Sequence, residues 1–427
     1  MAIANVTPPA TENRAGSNKP ALTMLTTLFF MWGFLTALND ILVPHLKSIF
    51  DLTYAEVMLI QFSFFSAYFV FAIPSGKVVE WIGYKRTIVL GLMTMGLGAL
   101  LFIPAASVPS FPLFLAALIV LATGITALQV AANPYVAVLG PPETASSRLN
   151  LTQAFNSLGT TIAPYLGSLF ILSAAPLAIE EVRRLPASQL LKYRLQQASS
   201  VKLPYLGLAV TLIALALIVA KFKLPAISKD HSNKPGAGTL SIWKHRALFL
   251  GALAIFAYVG AEVSIGSFLV NYMSQPYVGN IPVQIAARYV SFYWGGAMIG
   301  RFIGSGLLQK IRTGTLLGIF AIVAGALVSI SMLSTGHVAM WSILAVGLFN
   351  SIMFPSIFTL GIAGLGPLTG EGSGILVCAI VGGAVLPELQ GILADRIGIH
   401  HAFFIPVICY LYIMYFAFWG SRERAVS

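Results

Sequence analysis

The sequence predicts an all-α integral membrane protein with twelve transmembrane helices in two pseudo-symmetric six-helix bundles. Of its 427 residues, 57% are hydrophobic and only 9% are charged, whereas a soluble chain carries about 25% charged residues. The apolar runs are long enough to cross a hydrocarbon layer of ~30 Å as helices. They lack the short alternating segments that are typical of an outer-membrane barrel. A polar break after the sixth run divides the runs into two equal groups.

The apolar runs predict the individual spans in chain order. They fall at 22–49, 55–81, 86–105, 111–138, 148–173 and 203–222, and then at 245–274, 283–309, 313–333, 337–363, 370–396 and 400–420. We therefore expect an N-terminal tail (1–21), a first bundle (22–222) with an insert (174–202), a linker (223–243), a second bundle (244–420) and a C-terminal tail (421–427). The polar first residues show no cleavable signal, so the first helix is expected to stay in the membrane.

Basic residues set the expected orientation. Most lysines and arginines fall in the tails, the linker and alternate loops, which the positive-inside rule places in the cytoplasm together with both termini. The net charge of +11 is therefore interpreted as an orientation signal and not as a nucleic-acid-binding surface.

Asp40 is the most informative residue of the first run. It lies inside a long apolar stretch that is almost free of other charges, where an ionisable group costs roughly 2.5–3.5 kcal/mol on insertion scales and usually has a function. Burial favours the neutral form of a carboxyl group, as a proton carrier requires. The alternatives are a structural hydrogen bond to a neighbouring helix, or a place near the outer end of a shorter span.

The two halves of the chain resemble each other weakly. The segment 33–43 aligns with 260–270, and the fourth and tenth runs each contain a proline within the run, Pro134 and Pro355. Such spacing indicates a duplicated six-helix unit, as in transporters that bind substrate between their halves.

Several motifs resemble those of a known family. The segment GKVVEWIGYKR is similar to the loop motif of the major facilitator superfamily, which serves as a gate on the cytoplasmic side. Its residues here are Gly76, Glu80, Gly83, Lys85 and Arg86. The segments 38–50, 128–164 and 257–273 are similar to the glucose/galactose transporters of the fucose–galactose–glucose:proton symporter family. The resemblance implies twelve helices, alternating access and sugar uptake driven by protons, or by sodium in some members.

The chain departs from this family pattern at one position. L-fucose permease, a member of the family, has an essential Asp that matches Asp40 and an essential Glu where this chain has Gln129. Gln129 cannot titrate. We therefore expect Glu262, a second acid inside an apolar run, to be either the second proton-coupling group or a sugar ligand. A permanently neutral Glu262 that donates one hydrogen bond is the remaining alternative.

Sugar recognition requires amides and carboxyls for hydroxyl groups and aromatic faces for C–H surfaces. Amide residues fall on one face of the fourth and of the fifth predicted helix, although polar side chains also join helices in membranes. Arg301 is expected to pair with another group or to cap a helix end at the cytoplasmic side. The candidate substrate-binding residues are Asn39, Gln129, Gln153, Asn156, Tyr258, Glu262, Asn271, Phe292 and Asn350.

No nucleotide-binding loop, metal cluster or catalytic triad is recognisable in the sequence, so we expect no enzyme activity, no cofactor and no metal. The favoured interpretation is a monomeric hexose:proton symporter of a bacterial inner membrane, most simply for glucose or galactose. Its expected partners are the sugar, H⁺ (or Na⁺) and the lipid bilayer. L-fucose or an N-acetyl amino sugar are alternative substrates, and a sugar sensor or a drug exporter are alternative functions.

Overall fold

Apolar runs separated by short polar or Gly/Pro-rich turns fold into long helices close to the predicted positions. The computed structural model describes residues 19–50, 54–108, 110–170, 185–199, 202–225 and 241–421. Within these ranges, the side chains of 38–50, 54–58, 61, 164–170, 187, 191, 194 and 197–199 lie outside the description.

The helices are numbered in chain order. They are α1 (Lys19–Phe50), α2 (Tyr54–Ile82), α3 (Tyr84–Ser107), α4 (Phe111–Val138), α5 (Ala145–Phe170), α6 (Ala187–Ser199), α7 (Lys202–Lys221), α8 (Arg246–Met273), α9 (Val283–Leu307), α10 (Thr313–Leu333), α11 (Gly336–Asn350), α12 (Met353–Ile362), α13 (Thr369–Cys378), α14 (Gly382–Ile397), α15 (Ile399–Ala402) and α16 (Phe404–Tyr415). A π-helical turn, Phe416–Gly420, ends the bundle.

Among the described residues, ten segments are long and apolar enough to cross a membrane. Three of them combine shorter helices: α11 with α12, α13 with α14, and α15 with α16. The long helices α5 and α9 are not among the ten because they carry more polar residues. With these two included, the described helices supply the twelve spans of the expected fold.

The tenth span is broken where Pro355 occurs. Helix α11 ends at Asn350 and α12 begins at Met353, which places Pro355 in the first turn of α12. Proline is tolerated there because the first N–H groups of a helix have no partner within it. The absence of an N–H on Pro355 leaves the Ser351 carbonyl without its usual helical donor.

The two halves meet chiefly through two pairs of helices, α2 with α13 and α5 with α9, and less extensively through α4 with α13 and α5 with α12. Glycines allow the first pair to approach closely: a Cβ on Gly76 would lie 2.7 Å from the Gly370 carbonyl oxygen, and one on Gly374 would lie 2.8 Å from that of Ala72. We call the contact between the halves the seam. We call the end of the bundle where α7 ends and α8 begins the linker end.

Candidate functional site

Asn39 and Asp40 lie in α1. Their side chains are outside the described part of the structure, so the proton site predicted at Asp40 stays a prediction.

Gln129 of α4 is buried and reaches the neighbouring helix α2. Its Nε2 donates a hydrogen bond of 2.7 Å to the Tyr68 hydroxyl. The Trp32 side chain of α1 contacts the same hydroxyl and packs on Phe29 with ring centroids 5.3 Å apart. Three helices of the first half therefore bring an amide, a phenol and an indole together, as a binding site for hydroxyl groups and C–H faces requires.

The two amides of α5 differ in their surroundings. Gln153 is buried, and its side-chain amide forms no hydrogen bond with a described residue, although its backbone carbonyl accepts one from Ser157 at 3.2 Å. Asn156 is partly buried, and its Nδ2 donates to the Phe29 carbonyl at 2.9 Å, which fastens α5 to α1. The contact favours a structural role for Asn156 and leaves Gln153 as the amide available to a ligand.

Arg301 of α9 has partners in both halves. Its Nη2 lies 3.8 Å from Oε1 of Glu262 in α8, and these two side chains are only 14% and 12% exposed. Its Nη1 donates to the Ser157 hydroxyl of α5. Arg301 therefore has the pairing expected of it, with a carboxylate of its own half and a hydroxyl of the other half. We call Ser157, Glu262, Arg301 and Ser351 the Arg301 cluster.

Ser351 belongs to this cluster through its backbone. Its carbonyl, which Pro355 leaves free, accepts a hydrogen bond of 3.3 Å from Nε of Arg301. The Tyr258 hydroxyl lies beside the Glu262 carboxyl group, one helical turn earlier in α8. The cluster thus holds one mostly buried acid and one mostly buried base, with the phenol of Tyr258 beside the acid, and Arg301 links them to the first half.

Asn350 is fully buried and has partners at both ends of its amide. Its Nδ2 donates to the Tyr293 hydroxyl at 2.8 Å, and its Oδ1 accepts from the Tyr410 hydroxyl at 2.7 Å. Tyr293 in turn donates to the backbone carbonyl of Glu262 at 3.2 Å. This chain of bonds supports the position of Glu262 and leaves Asn350 little capacity to bind a sugar.

Two further predicted ligands lie apart from the cluster. Asn271 is exposed near the end of α8 that is opposite to the linker end. Phe292 is 57% exposed and packs against Tyr289 and Trp341, with ring centroids 5.7 and 5.6 Å away. The structure does not bring either residue together with Gln129 or Glu262.

The predicted gate motif lies at the linker end. Gly76 packs against Gly370, Gly83 adopts a positive φ of 82° that favours glycine, and Nζ of Lys85 donates to the Ala220 carbonyl at 2.8 Å. Glu80 is partly buried, whereas Arg86 is exposed. The described contacts of this motif across the seam are therefore made by close backbone packing.

Neutral side chains also close the linker end. The hydroxyl groups of Ser146 and Thr359 are 2.5 Å apart across the seam. Ser147 donates to the Ser305 carbonyl at 2.6 Å and Asn150 donates to the Arg301 carbonyl at 2.7 Å. Beyond them, a cavity of about 740 Å³ is lined by residues of both halves, including Glu80, Arg86 and Thr359.

Sequence reasoning missed three members of this site, Tyr68, Ser157 and Ser351. Tyr68 and Ser157 are ordinary polar residues in apolar helices, and nothing in their spacing shows which side chain they contact. Arg301 had a usable signal, because an arginine within an apolar run needs a partner. Within the described ranges, no group of three His, Cys, Asp or Glu residues could hold a metal ion.

The fold and the site together define a membrane transporter whose two six-helix halves meet around a buried acid–base pair. The chain belongs to the Major Facilitator Superfamily, whose family model matches residues 23–379.

Relatives of known name resemble the chain over nearly its whole length. It is 54% identical over 403 residues to a glucose/galactose transporter of Brucella abortus, covering 94% of both chains. It is 35% identical to the L-fucose-proton symporter of Escherichia coli, over 97% of this chain and 96% of the relative. A crystal structure of FucP in the outward conformation has a TM-score of 0.88 and 34% identity, and covers 95% of this chain and 100% of that one.

Proposed function

We propose that the protein is a proton-coupled sugar symporter that imports a hexose, glucose or galactose, by alternating access. The named relatives support the substrate and the coupling ion. The observation that carries the proposal is the buried Glu262–Arg301 pair at the seam, since it places a protonatable group where the two halves meet. We further propose a bacterial inner membrane, cytoplasmic termini and a monomer.

Proton coupling is assigned to Asp40 and Glu262. A charged Glu262 attracts the guanidinium group of Arg301, which is also bound to Ser157 of the first half. Protonation of Glu262 removes this attraction, so Arg301 keeps only its neutral partners. The relative energy of the two conformations then depends on the proton, which is what coupled transport requires.

Sugar binding is assigned to Asn39, Gln129 and Gln153, with Glu262 as an acceptor from the second half. Trp32 and Tyr68 supply the aromatic faces beside Gln129. Asn156 and Asn350 are given a structural role, since their amides are engaged with Phe29 and with two tyrosines. The remaining candidates, Tyr258, Asn271 and Phe292, are not needed by this scheme.

The gate is assigned to the linker end, which is closed by the Gly76–Gly370 contact and by the Ser146–Thr359 hydroxyl pair. We infer that this arrangement faces outward, as in the FucP structure that resembles it. Rocking of the halves would separate these contacts and open the site to the cytoplasm.

Vesicle uptake tests the function directly. Labelled glucose, galactose and fucose are offered under an imposed pH gradient, to the wild type and to Asp40→Asn. The proposal expects gradient-driven accumulation in the wild type only, with sugar exchange retained in the variant. A variant that still concentrates sugar would move the coupling role to Glu262.

L-fucose is the second candidate substrate because one relative is an L-fucose-proton symporter. Competition by unlabelled L-fucose against labelled glucose in the same vesicles compares the two. Replacing the pH gradient by a sodium gradient tests the other coupling ion.

A further inference from the structure

Three buried oxygen atoms around Arg301 have no hydrogen-bond partner among the described residues. They are Oε1 of Glu262, Oγ of Ser351 and Oδ1 of Asn150. Oε1 of Glu262 lies 3.8 Å from Nη2 of Arg301, whereas Ser351 and Asn150 bond to Arg301 by another atom, the Ser351 carbonyl to Nε at 3.3 Å and the Asn150 Nδ2 to the backbone carbonyl at 2.7 Å. The three oxygens therefore belong to residues that each contact Arg301, at its guanidinium group or at its backbone carbonyl.

Buried polar atoms in proteins are almost always paired with protein groups or with water. A separation of 3.8 Å between Nη2 of Arg301 and Oε1 of Glu262 is too long for a hydrogen bond. Such a gap between polar groups is often bridged by water, which typically makes two to four hydrogen bonds at a buried site. The guanidinium group supplies donors and the three oxygens supply acceptors, so the chemistry of this site suits water.

The packing of α9 keeps these groups close to its backbone. A Cβ on Gly300 would lie 2.6 Å from Oγ of Ser351, and one on Gly304 would lie 3.1 Å from Nδ2 of Asn150. Both glycines therefore leave space that the polar side chains of Ser351 and Asn150 need. An alanine at either position would compete with this polar site.

We propose that the Arg301 cluster binds water between Asn150, Glu262 and Ser351, and that this water receives the proton of Glu262 on its way to the linker end. The inference rests on the proposed proton symport. In the transfer, the O–H bond of neutral Glu262 breaks while a water oxygen gains that proton and passes one of its own to the next acceptor. The carboxylate that remains pairs with Arg301, and the proton leaves into the linker-end solution.

Polar groups continue from the cluster towards that solution. Ser356, whose hydroxyl also has no partner among the described residues, lies between Ser351 and Thr359 in the chain. Thr359 bonds to Ser146 across the seam and lines the cavity at the linker end. The route therefore begins at a buried acid and ends at a space formed by both halves.

Radiolytic footprinting tests the bound water without relying on transport. X-rays convert water to hydroxyl radicals, which oxidise neighbouring side chains even when bulk solvent does not reach them. Met353 lies two residues from Ser351, and Met95 in the first half is the control, since both have 0% exposure. If ordered water occupies the site, Met353 is oxidised at least about fivefold faster than Met95. Equal, slow oxidation of both methionines would overturn the proposal.

Transport of Ser351→Ala tests the proton route. This substitution removes the unpaired hydroxyl and keeps the carbonyl that binds Arg301. We expect net uptake driven by a pH gradient to fall roughly fivefold, as for loss of about 1 kcal/mol at one hydrogen bond, while sugar exchange stays unchanged. Ser342→Ala is the matched control, because that hydroxyl bonds to Val338 within its own helix. A wild-type rate in Ser351→Ala, or an equal loss of uptake and exchange, would contradict the route.

The experiments distinguish failure of the proposed proton symport from failure of the proposed water site. If the wild type moves sugar without protons, the proposed symport fails, whatever the footprint of Met353. If sugar and protons move together but Met353 is protected and Ser351→Ala is normal, only the water site fails.

Discussion

Pro134 and Pro355 lie in the fourth and tenth spans, and each leaves free the carbonyl four residues before it, which then accepts a hydrogen bond from another helix. The Val130 carbonyl accepts from the Ser373 hydroxyl of α13 at 2.8 Å, and the Ser351 carbonyl accepts from Nε of Arg301 at 3.3 Å. Because proline has no N–H, neither carbonyl can form its usual helical bond. The repeated prolines thus create acceptors for bonds from other helices: the bond at Val130 crosses the seam, and the bond at Ser351 holds Arg301 within the second half.

Pro134→Ala should weaken one of these contacts. The new N–H can bond to the Val130 carbonyl and compete with Ser373. This competition would weaken the contact between the halves by about 1 kcal/mol. We expect a roughly fivefold shift towards the form that is open at the linker end. Spin labels at Lys77 and Arg312, which are exposed in different halves, would report the change as a longer distance.

Two variants make this test specific. Ser373→Ala should produce the same shift, and the double variant should add little to it, because both changes remove one bond. Pro104→Ala is the control, since α3 packs within the first half. If the shifts caused by the two substitutions add up in the double variant, Pro134 acts through a contact other than the Val130–Ser373 bond.

Glu262→Gln should uncouple sugar from the proton. The amide has a similar shape but cannot exchange a proton near neutral pH, so Arg301 faces a permanently neutral partner. We expect sugar to equilibrate across the vesicle membrane without accumulating, and exchange to continue. The measurement is sugar-induced alkalinisation of the outer solution at several pH values.

Glu388→Gln serves as the control for this experiment because Glu388 is exposed on α14. Its uptake and proton movement should match the wild type. Retained proton movement in Glu262→Gln would remove Glu262 from the coupling mechanism and leave it as a sugar ligand.

Gly76→Ala should prevent closure of the linker end. The added Cβ would lie 2.7 Å from the Gly370 carbonyl oxygen, and such overpacking typically costs 1–3 kcal/mol. We expect transport to fall at least roughly fivefold at normal expression. In Gly306→Ala, the new methyl group meets nothing within 4 Å, so transport should be unchanged. Normal transport in Gly76→Ala would show that this contact does not limit the cycle.

Tyr68→Phe should weaken sugar binding through Gln129. The substitution removes the acceptor of the Gln129 amide, and a buried donor without a partner costs about 1–3 kcal/mol. We expect the KM for the imported sugar to rise roughly tenfold, whereas the expression level stays close to that of the wild type. Tyr289→Phe, which alters a partly buried tyrosine that packs against Phe292, should leave KM unchanged. An unchanged KM in Tyr68→Phe would place the sugar away from Gln129.

The sequence predicted the positions of the spans well because burial of apolar runs and turn residues are local properties. The glycines of the gate motif were also visible, since glycine acts on the backbone where it occurs. The break next to Pro355 was not predicted, because that proline was expected within one continuous run. Within the spans, the family resemblance pointed to Gln129 and to Glu262, but not to what either residue touches.

Contacts across the seam could not be predicted in this way. Arg301 and Ser157 are 144 positions apart, and the partner of Arg301 depends on how α5, α8 and α9 are rotated about their axes. The same reason explains why Asn350 was expected at the sugar site, although two tyrosines hold it in the core. Hydrophobic periodicity assigns a polar residue to a face, but it does not say which helix that face meets.

The polarity of α5 and α9 has a consequence for how the protein is made. Some polar groups of each helix find their partners on the other, as in the bond between Ser147 and Ser305, which are 158 positions apart. During synthesis α5 emerges long before α9, and a polar segment enters lipid poorly on its own. We therefore expect α5 to insert stably into the bilayer only after α9 has been translated. In a chain truncated before α9, the fifth span should then remain accessible to water-soluble reagents.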